Sequence, residues 1–283
     1  MNDILSYQAA VVEEYGAEFS IETVRGGPVA PDEVLVRVVS VGVCHTDVVA
    51  RNGDYPVPVP IVLGHEGAGI VVAVGDAVHD TAVGDHVIAS FVACDECSTC
   101  KAGRPALCQF AFEENFLARR PDGTSPLSGA DGSALHGRFF GQSSFGEYAI
   151  CPEKSLVVIP NDFDLKLAGP LGCGVQTGAG AVLNSLRPAA GSSIAVFGVG
   201  AVGLAAVMAA KIAGCSPIIA VDRHESRLAL ARELGATETL LATGAKDVEE
   251  LKRLSDGGLE FAIDTTGNPV ASIFRTARSR APS

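Results

Sequence analysis

Basic residues are scarce in this chain. Its 21 lysines and arginines stand against 33 aspartates and glutamates, a formal net charge of −12. A chain this acidic exerts no long-range pull on phosphate backbones, which argues against general nucleic-acid binding. An export signal is also missing, because Met1 to Glu14 has no basic start followed by an apolar run. No stretch of eighteen residues is purely apolar, and the longest approach, Ile194 to Met208, is interrupted by glycines. These absences predict a soluble, cytoplasmic protein with neither a nucleic-acid nor a membrane partner. Low-complexity tracts are absent too. With 47% apolar and 19% charged residues there is material for real cores rather than disorder. A length of 283 residues suits two modest domains.

What the chain has in quantity is cysteine, eight residues in all. Four of them, Cys94, Cys97, Cys100 and Cys108, fall within the fifteen residues C-D-E-C-S-T-C-K-A-G-R-P-A-L-C. Two successive x-x gaps let a loop fold three thiolates around one ion, and the longer gap leaves room for a turn that returns the fourth. Four thiolates close a tetrahedral shell around zinc with no open position, the structural kind of site. An iron–sulfur cluster also uses clustered cysteines and is the chemical alternative. Unliganded, thiols at this density would be an oxidation hazard. Cys151 and Cys215 each follow an apolar run and are expected to pack as small buried hydrophobes.

Cys44 and Cys173 remain, far apart in sequence. The half that contains Cys44 is rich in short β-branched runs, among them Val34 to Val41, Ile70 to Val74 and Val83 to Ala89, punctuated by Gly, Pro and Asp. It reads as a β-rich domain with functional loops. One loop is V-G-V-C-H-T-D, with Cys44, His45, Thr46 and Asp47; another is L-G-H-E-G-A-G, with His65 and Glu66. Glycines flank both, as they flank Cys173 in P-L-G-C-G-V, and allow sharp turns that bring side chains to a point. Two thiolates and one imidazole make a three-ligand set with a fourth position open, the catalytic kind of zinc site.

The second half changes period. Ser193 to Phe197 is a short apolar strand running into G-V-G-A-V-G, with Gly198, Gly200 and Gly203, and an alanine-rich helix extends from there to about Ala213. A second strand, Pro217 to Val221, ends at Asp222, nineteen residues after Gly203. In this context the first glycine makes the tight turn, the second lets the backbone approach a pyrophosphate and the third lets helix pack on strand. The pyrophosphate is expected at the helix N-terminus. The Asp222 carboxylate is placed to accept from the adenosine ribose hydroxyls and to repel a 2′-phosphate, which favours NAD over NADP. Next come a helix over Glu225 to Leu234, a strand over Glu238 to Ala242, a helix over Val248 to Leu254 and a fourth strand over Phe261 to Asp264. The polar run from Arg275 to Ser283 holds no fifth strand.

On these motifs the chain resembles the zinc-dependent medium-chain alcohol dehydrogenases. Residues 64 to 78, G-H-E-G-A-G-I-V-V-A-V-G-D-A-V, are similar to that family's zinc signature. The four-cysteine lobe, the Cys173 loop and the glycine-rich turn occur in the family's order. The resemblance implies an α/β protein: a GroES-like catalytic domain over residues 1–174, rich in β-structure, and a Rossmann doubly wound parallel sheet over 175–283, with the active site in the cleft between them. It implies two zinc ions per chain and NAD. Carried over, Cys44, His65 and Cys173 are the catalytic zinc ligands, and Cys94, Cys97, Cys100 and Cys108 hold the structural zinc. Thr46 takes the substrate proton, Asp47 orients His65, Glu66 sits beside the metal and His45 touches the cofactor pyrophosphate. His79, His86, His136 and His224 match nothing catalytic.

The implied reaction is oxidation of a primary alcohol to an aldehyde with hydride transfer to the nicotinamide, the zinc polarising the alcohol oxygen. Many relatives pass the proton to a histidine five residues after the first ligand; here that place is Val49, so release runs through the cofactor ribose and water or another group. N-F-L-A-R-R-P-D-G-T-S-P-L, F-F-G-Q-S-S-F-G-E-Y-A and G-C-G-V-Q-T-G-A-G-A-V-L-N look most like aryl- or benzyl-alcohol dehydrogenases. Glutathione-dependent formaldehyde dehydrogenases are the alternative. The partners implied are small alcohols and aldehydes. The family's sheet has strands beyond the fourth. The reading is therefore of a Rossmann domain truncated after about its fourth strand, lacking the strand relatives use to homo-oligomerise. The alternative of a different class is an inactive zinc- and nucleotide-binding remnant.

Overall fold

Short β-branched runs build two antiparallel sheets in the first of two units. The computed structural model describes residues 5–244, 247–255 and 258–267 and divides into the units Met1–Cys173 and Gly174–Ser283. The strands of the first unit are β1 (Leu5–Val12), β2 (Ser20–Gly26), β3 (Glu33–Val41), β4 (Ile61–Val62), β5 (Gly67–Val74), β6 (His86–Ala89), β7 (Leu127–Gly129), β8 (Tyr148–Pro152) and β9 (Leu156–Ile159). They pair in the orders β4-β1-β2-β7 and β8-β3-β5-β6-β9. Tyr7, Ala9 and Val11 alternate along β1 and pack with Val24 and Leu127, the inward face that a period of two creates. Val34 and Val36 of β3 meet Val71 and Val87 in a second cluster.

The pairing of β3 with β5 shifts register twice, between Leu35 and Val36 and between Val38 and Ser40. Such shifts bend a strand and re-aim the residues beyond them. The second lies just before β3 ends, and Cys44 comes three residues after that end. The strand expected from Val83 begins instead at His86. Val83 is exposed and Gly84 takes a φ of +96°, so the Val83–Gly84–Asp85 segment turns, with Asp85 accepting from the Ala82 N–H at 2.8 Å.

Helices in this unit are short: α1 (His45–Asn52), α2 (Ser98–Lys101), α3 (Ala111–Phe116) and α4 (Leu165–Ala168). A 3₁₀ turn, Gly169–Gly172, leads to Cys173.

The second unit opens with α5 (Gly174–Gly180) and a π-helical turn over Ala181–Leu186. Parallel strands β10 (Ile194–Phe197), β11 (Ile218–Asp222), β12 (Glu238–Leu241) and β13 (Phe261–Asp264) then alternate with α6 (Ala201–Ile212), α7 (Glu225–Leu234) and α8 (Asp247–Leu254). The sheet order is β12-β11-β10-β13, the 3-2-1-4 half of a doubly wound fold. All four residues of β10 are buried, as expected of a parallel strand covered on both faces. Ile194, Ile218 and Leu228 pack on one face and Phe197, Ile219 and Leu240 on the other. Each such side chain contributes roughly 1.5–3 kcal/mol on full burial. The polar run Arg275 to Ser283, where no fifth strand is expected, lies outside the described residues. No helix among the described residues is long and apolar enough to cross a membrane.

Candidate metal and cofactor sites

The first site is assembled by loops that leave and enter the β3–β5 pair. Cys44 is the N-cap of α1, in extended conformation. Asp47, one turn into the helix and 1% exposed, reaches back to accept from the Cys44 N–H at 3.1 Å. The same carboxylate accepts from the Gly64 N–H at 3.0 Å and lies 3.1 Å from His65 Nδ1. One buried side chain thus joins the loop of Cys44 to the loop of His65. With Nδ1 held, His65 presents Nε2, which is buried and has no hydrogen-bond partner. One ligand atom each from Cys44, His65, Glu66 and Cys173 lies within 4.8 Å of the others.

This buried, unpartnered Nε2 beside two sulfurs fits a metal ion. Two soft thiolates and an imidazole suit zinc, and the Asp47 contact is the kind that fixes a ligating imidazole's tautomer and orientation. The electrostatics of the protein without metal show why the site is primed. A hydrogen bond with Cys173 outweighs the penalty of burial and, with His65 and Thr46 nearby, holds the Cys44 thiol down to about 3. The same bond, then burial, pushes the Cys173 thiol up. Burial opposes the imidazolium of His65, but the Asp47 hydrogen bond and the neighbouring Cys44 sulfur outweigh it and raise this group to about 9. Thr46 Oγ1 lies 3.6 Å from the Cys44 sulfur. His45 is exposed at the start of α1.

An aromatic shell surrounds His65. Phe140 stacks on its ring at 4.6 Å and Phe139 meets it edge-on at 5.7 Å, and Phe116 closes on Phe140 at 5.0 Å. Phe140 is held at a left-handed φ of 50°. Such a conformation costs about 1–3 kcal/mol and persists where surroundings fix it. The stretches that hold these rings resemble aryl-alcohol dehydrogenases, but neither motif nor spacing places the rings beside His65.

The second site is the four-cysteine lobe, whose four sulfurs lie within 4.8 Å of one another. Backbone N–H groups point at the sulfurs: Cys97 N donates to Cys94 Sγ at 3.3 Å, and Cys94 N and Phe110 N to Cys108 Sγ at 3.4 Å. Donors of this kind favour thiolate. The Thr99 hydroxyl, 3.1 Å away, leads the contacts that bring the Cys97 thiol down to about 5. Burial, then the Cys97 sulfur, pushes Cys100 up to about 12. A closed set of four sulfurs with donated N–H groups fits a tetrahedral structural zinc.

The third site is the turn between β10 and α6. Gly198 sits at a φ of +79°, and a Cβ on Gly203 would overlap the Gly198 carbonyl. Gly200, the N-cap of α6, faces open space and brings no side-chain cap. That leaves the first-turn N–H groups available to an anion, so the turn fits a dinucleotide's diphosphate. Asp222 does not project freely at the strand end as a ribose acceptor alone. It is 6% exposed and accepts from the Val199 N–H of the glycine turn at 2.8 Å and from the His224 N–H just beyond β11 at 2.9 Å.

With this geometry in place, comparison with known proteins identifies the class. The family model described as alcohol dehydrogenase GroES-like domain matches residues 30–161. The model described as zinc-binding dehydrogenase matches residues 201–277. A geraniol dehydrogenase of Castellaniella defragrans is 46% identical over 269 residues, covering 94% of this chain and 72% of the relative. The crystal structure of benzyl alcohol dehydrogenase from Acinetobacter calcoaceticus aligns with a TM-score of 0.91 at 43% identity, over 97% of this chain and 74% of that one. A zinc-binding dehydrogenase of Sinorhizobium meliloti 1021, bound to NADP, aligns with a TM-score of 0.75 at 30% identity, over 93% and 71%. The chain belongs to the zinc-dependent medium-chain alcohol dehydrogenases, a family of oxidoreductases.

Proposed function

We propose that the chain oxidises a primary alcohol whose carbinol carbon is attached to an unsaturated carbon, benzylic or allylic, with NAD as hydride acceptor. Cys44, His65 and Cys173 hold the catalytic zinc, and Cys94, Cys97, Cys100 and Cys108 hold a structural one. The observation that carries the reading is the buried, unpartnered His65 Nε2 set among the Cys44 and Cys173 sulfurs. Zinc bound there supplies Lewis-acid polarisation of the alcohol oxygen, and NAD supplies the hydride acceptor. The chain's own residues orient and desolvate the reactants. Asp47 holds the imidazole, and the half-buried Phe140 and Phe116 rings, backed by the buried Phe139, make its flank apolar and help exclude water.

Thr46 Oγ1, beside the Cys44 sulfur, receives the alcohol proton and hands it to water, since Val49 carries no titratable group. The substrate class draws on the two named relatives. Benzyl alcohol and geraniol share a hydroxymethyl group on an sp² carbon, and an apolar flank accepts the flat unsaturated group of either. The cofactor choice rests on Asp222, whose charge at the end of β11 opposes a 2′-phosphate.

The test monitors NADH absorbance with benzyl alcohol, geraniol, a saturated primary alcohol of equal size and S-(hydroxymethyl)glutathione, alongside elemental analysis. Two zinc ions per chain, with the unsaturated alcohols favoured, are expected. Fewer than two zinc ions in folded protein, or preference for the glutathione adduct, overturns the reading.

A further inference from the structure

Three ligands from three distant loops must be held in one geometry, and Asp47 joins only two of those loops. The link to the third is made elsewhere. Gln142, 1% exposed, lies just after the Phe139–Gly141 turn. Its Oε1 accepts from the Gly67 N–H at 3.0 Å and its Nε2 donates to the His65 carbonyl at 2.9 Å. One side-chain amide therefore clasps the backbone on both sides of Glu66 and fixes the segment that presents His65 and Glu66. The same Nε2 lies 3.5 Å from the Ser90 carbonyl. Ser90, directly after β6, donates through Oγ to the Gly172 carbonyl at 2.9 Å, and Gly172 precedes Cys173.

We propose that Gln142 and Ser90 are positioning residues that set Cys173 against His65, as a polar brace running from the His65 carbonyl through Gln142 and Ser90 to Gly172. This rests on the reading of Cys44, His65 and Cys173 as zinc ligands. Both members are anchored independently of any metal: the Ser90 N–H donates to the Ser155 carbonyl at 2.8 Å, and Gln142 N–H to the Phe139 carbonyl at 3.0 Å. The brace is thus part of the fold and does not touch the reacting atoms. Any buried amide must find partners; the partners of this one are the backbone on both sides of Glu66 and the carbonyl of Ser90, the residue tied to Gly172. Losing the Ser90 hydroxyl leaves the Gly172 carbonyl without this donor and frees the Cys173 turn to drift, while α1, β3 and the Asp47 contacts stay as they are. Outer contacts of this kind change metal affinity by about 10–100-fold when lost.

The probe is cobalt(II) exchanged selectively into the three-ligand site of the full chain, the four-cysteine lobe remaining zinc-loaded. Cys173→Ala serves as the control that assigns the thiolate charge-transfer and d–d bands to this site. Ser90→Ala and Gln142→Leu are expected to shift and broaden those bands and to weaken cobalt binding by about tenfold. Ser90→Thr, which keeps the hydroxyl, should retain the wild-type spectrum. Affinity for NAD, held in the second unit, should not change, and kcat should fall more than the alcohol KM rises. If Gln142→Leu does not fold, the serine pair decides the matter. An unchanged spectrum and cobalt affinity in Ser90→Ala overturns the brace. A wild-type protein whose bands survive Cys173→Ala overturns the ligand reading itself, and the brace with it.

Discussion

Removing the Asp47 carboxylate tests the site at its most connected point. This side chain takes three hydrogen bonds, from Cys44 N, Gly64 N and the His65 ring, all between 3.0 and 3.1 Å, and is almost fully buried. Asp47→Ala leaves two backbone N–H groups without their acceptor. At about 1–3 kcal/mol for each orphaned buried group, the loss is roughly 2–6 kcal/mol. That is a large share of the ~5–15 kcal/mol that holds a typical domain folded, so this variant should express poorly. Asp47→Asn is the sharper probe. Its carbonyl can serve the side on which Gly64 and His65 converge, but its NH₂ then faces the Cys44 N–H, donor against donor. Stability should fall by about 1–3 kcal/mol, and the imidazole loses its charged partner. Catalytic zinc should bind about 10–100-fold more weakly. Thermal melts report the first quantity and competition with a chromophoric chelator the second, with the four-cysteine metal as an internal standard. An Asp47→Asn protein that melts like wild type and yields neither zinc more readily would refute the reasoning.

The other sites carry their own expected outcomes. Cys97→Ser should cost one metal per chain and render residues 94–108 sensitive to protease, since a lobe of four sulfurs has little apolar core of its own; unchanged digestion would count against a structural metal there. Gly203→Ala should abolish NAD binding and lower the melting temperature of the second unit, because the added methyl overlaps the Gly198 carbonyl; near-normal calorimetric affinity for NAD would show that the turn relaxes cheaply. In protein stripped at the three-ligand site alone, Cys44 is held down to about 3, His65 raised to about 9 and Cys173 raised. Zinc loading at pH 7 should therefore expel one proton from His65 and one from Cys173. Affinity should rise with pH, more steeply below about 9, where both protons must leave, than above it, where only the Cys173 proton remains. Calorimetry in buffers of different ionisation enthalpy counts those protons, and release of one or fewer would contradict the assigned charges.

The features legible in the sequence are those that depend on near neighbours. The four-cysteine spacing, the glycine turn between a strand and a helix, and the alternation of the second half are local patterns, and local patterns survive without coordinates. The start of β6 is misjudged from sequence because Val83 favours a strand while Gly84 and Asp85 favour a turn, and the backbone obeys the glycine. Gln142 cannot be found that way. It acts on His65 from 77 positions away, and a buried glutamine has no periodicity that distinguishes a clasp from a filler. The stacking of Phe140 on His65 is equally non-local, created by a left-handed backbone that a non-glycine residue rarely adopts.

Asp222 shows how spacing can suggest one role for a residue while the fold gives it another. From spacing it is a cofactor acceptor at the end of a strand. In the fold, one oxygen takes the Val199 N–H, inside the glycine turn, and the other takes the His224 N–H, beyond β11. The carboxylate therefore holds the glycine turn; the proposed function adds a charge presented to a ribose, and the two roles have different signatures. Charge at the ribose discriminates between nucleotides. Support of the turn affects every ligand whose diphosphate sits there. Asp222→Asn keeps an oxygen for one N–H and removes the charge, so it should narrow the preference for NAD over NADP while weakening NAD modestly. Asp222→Ala removes both acceptors and leaves the Val199 N–H orphaned in a buried position. At about 1–3 kcal/mol for that group, roughly 5–150-fold in affinity, it should weaken both nucleotides, ADP-ribose included. Calorimetry with NAD, NADP and ADP-ribose separates the cases. If the alanine variant changes only the ratio and leaves ADP-ribose binding at the wild-type level, the turn-supporting role is wrong and the carboxylate acts at the ribose alone.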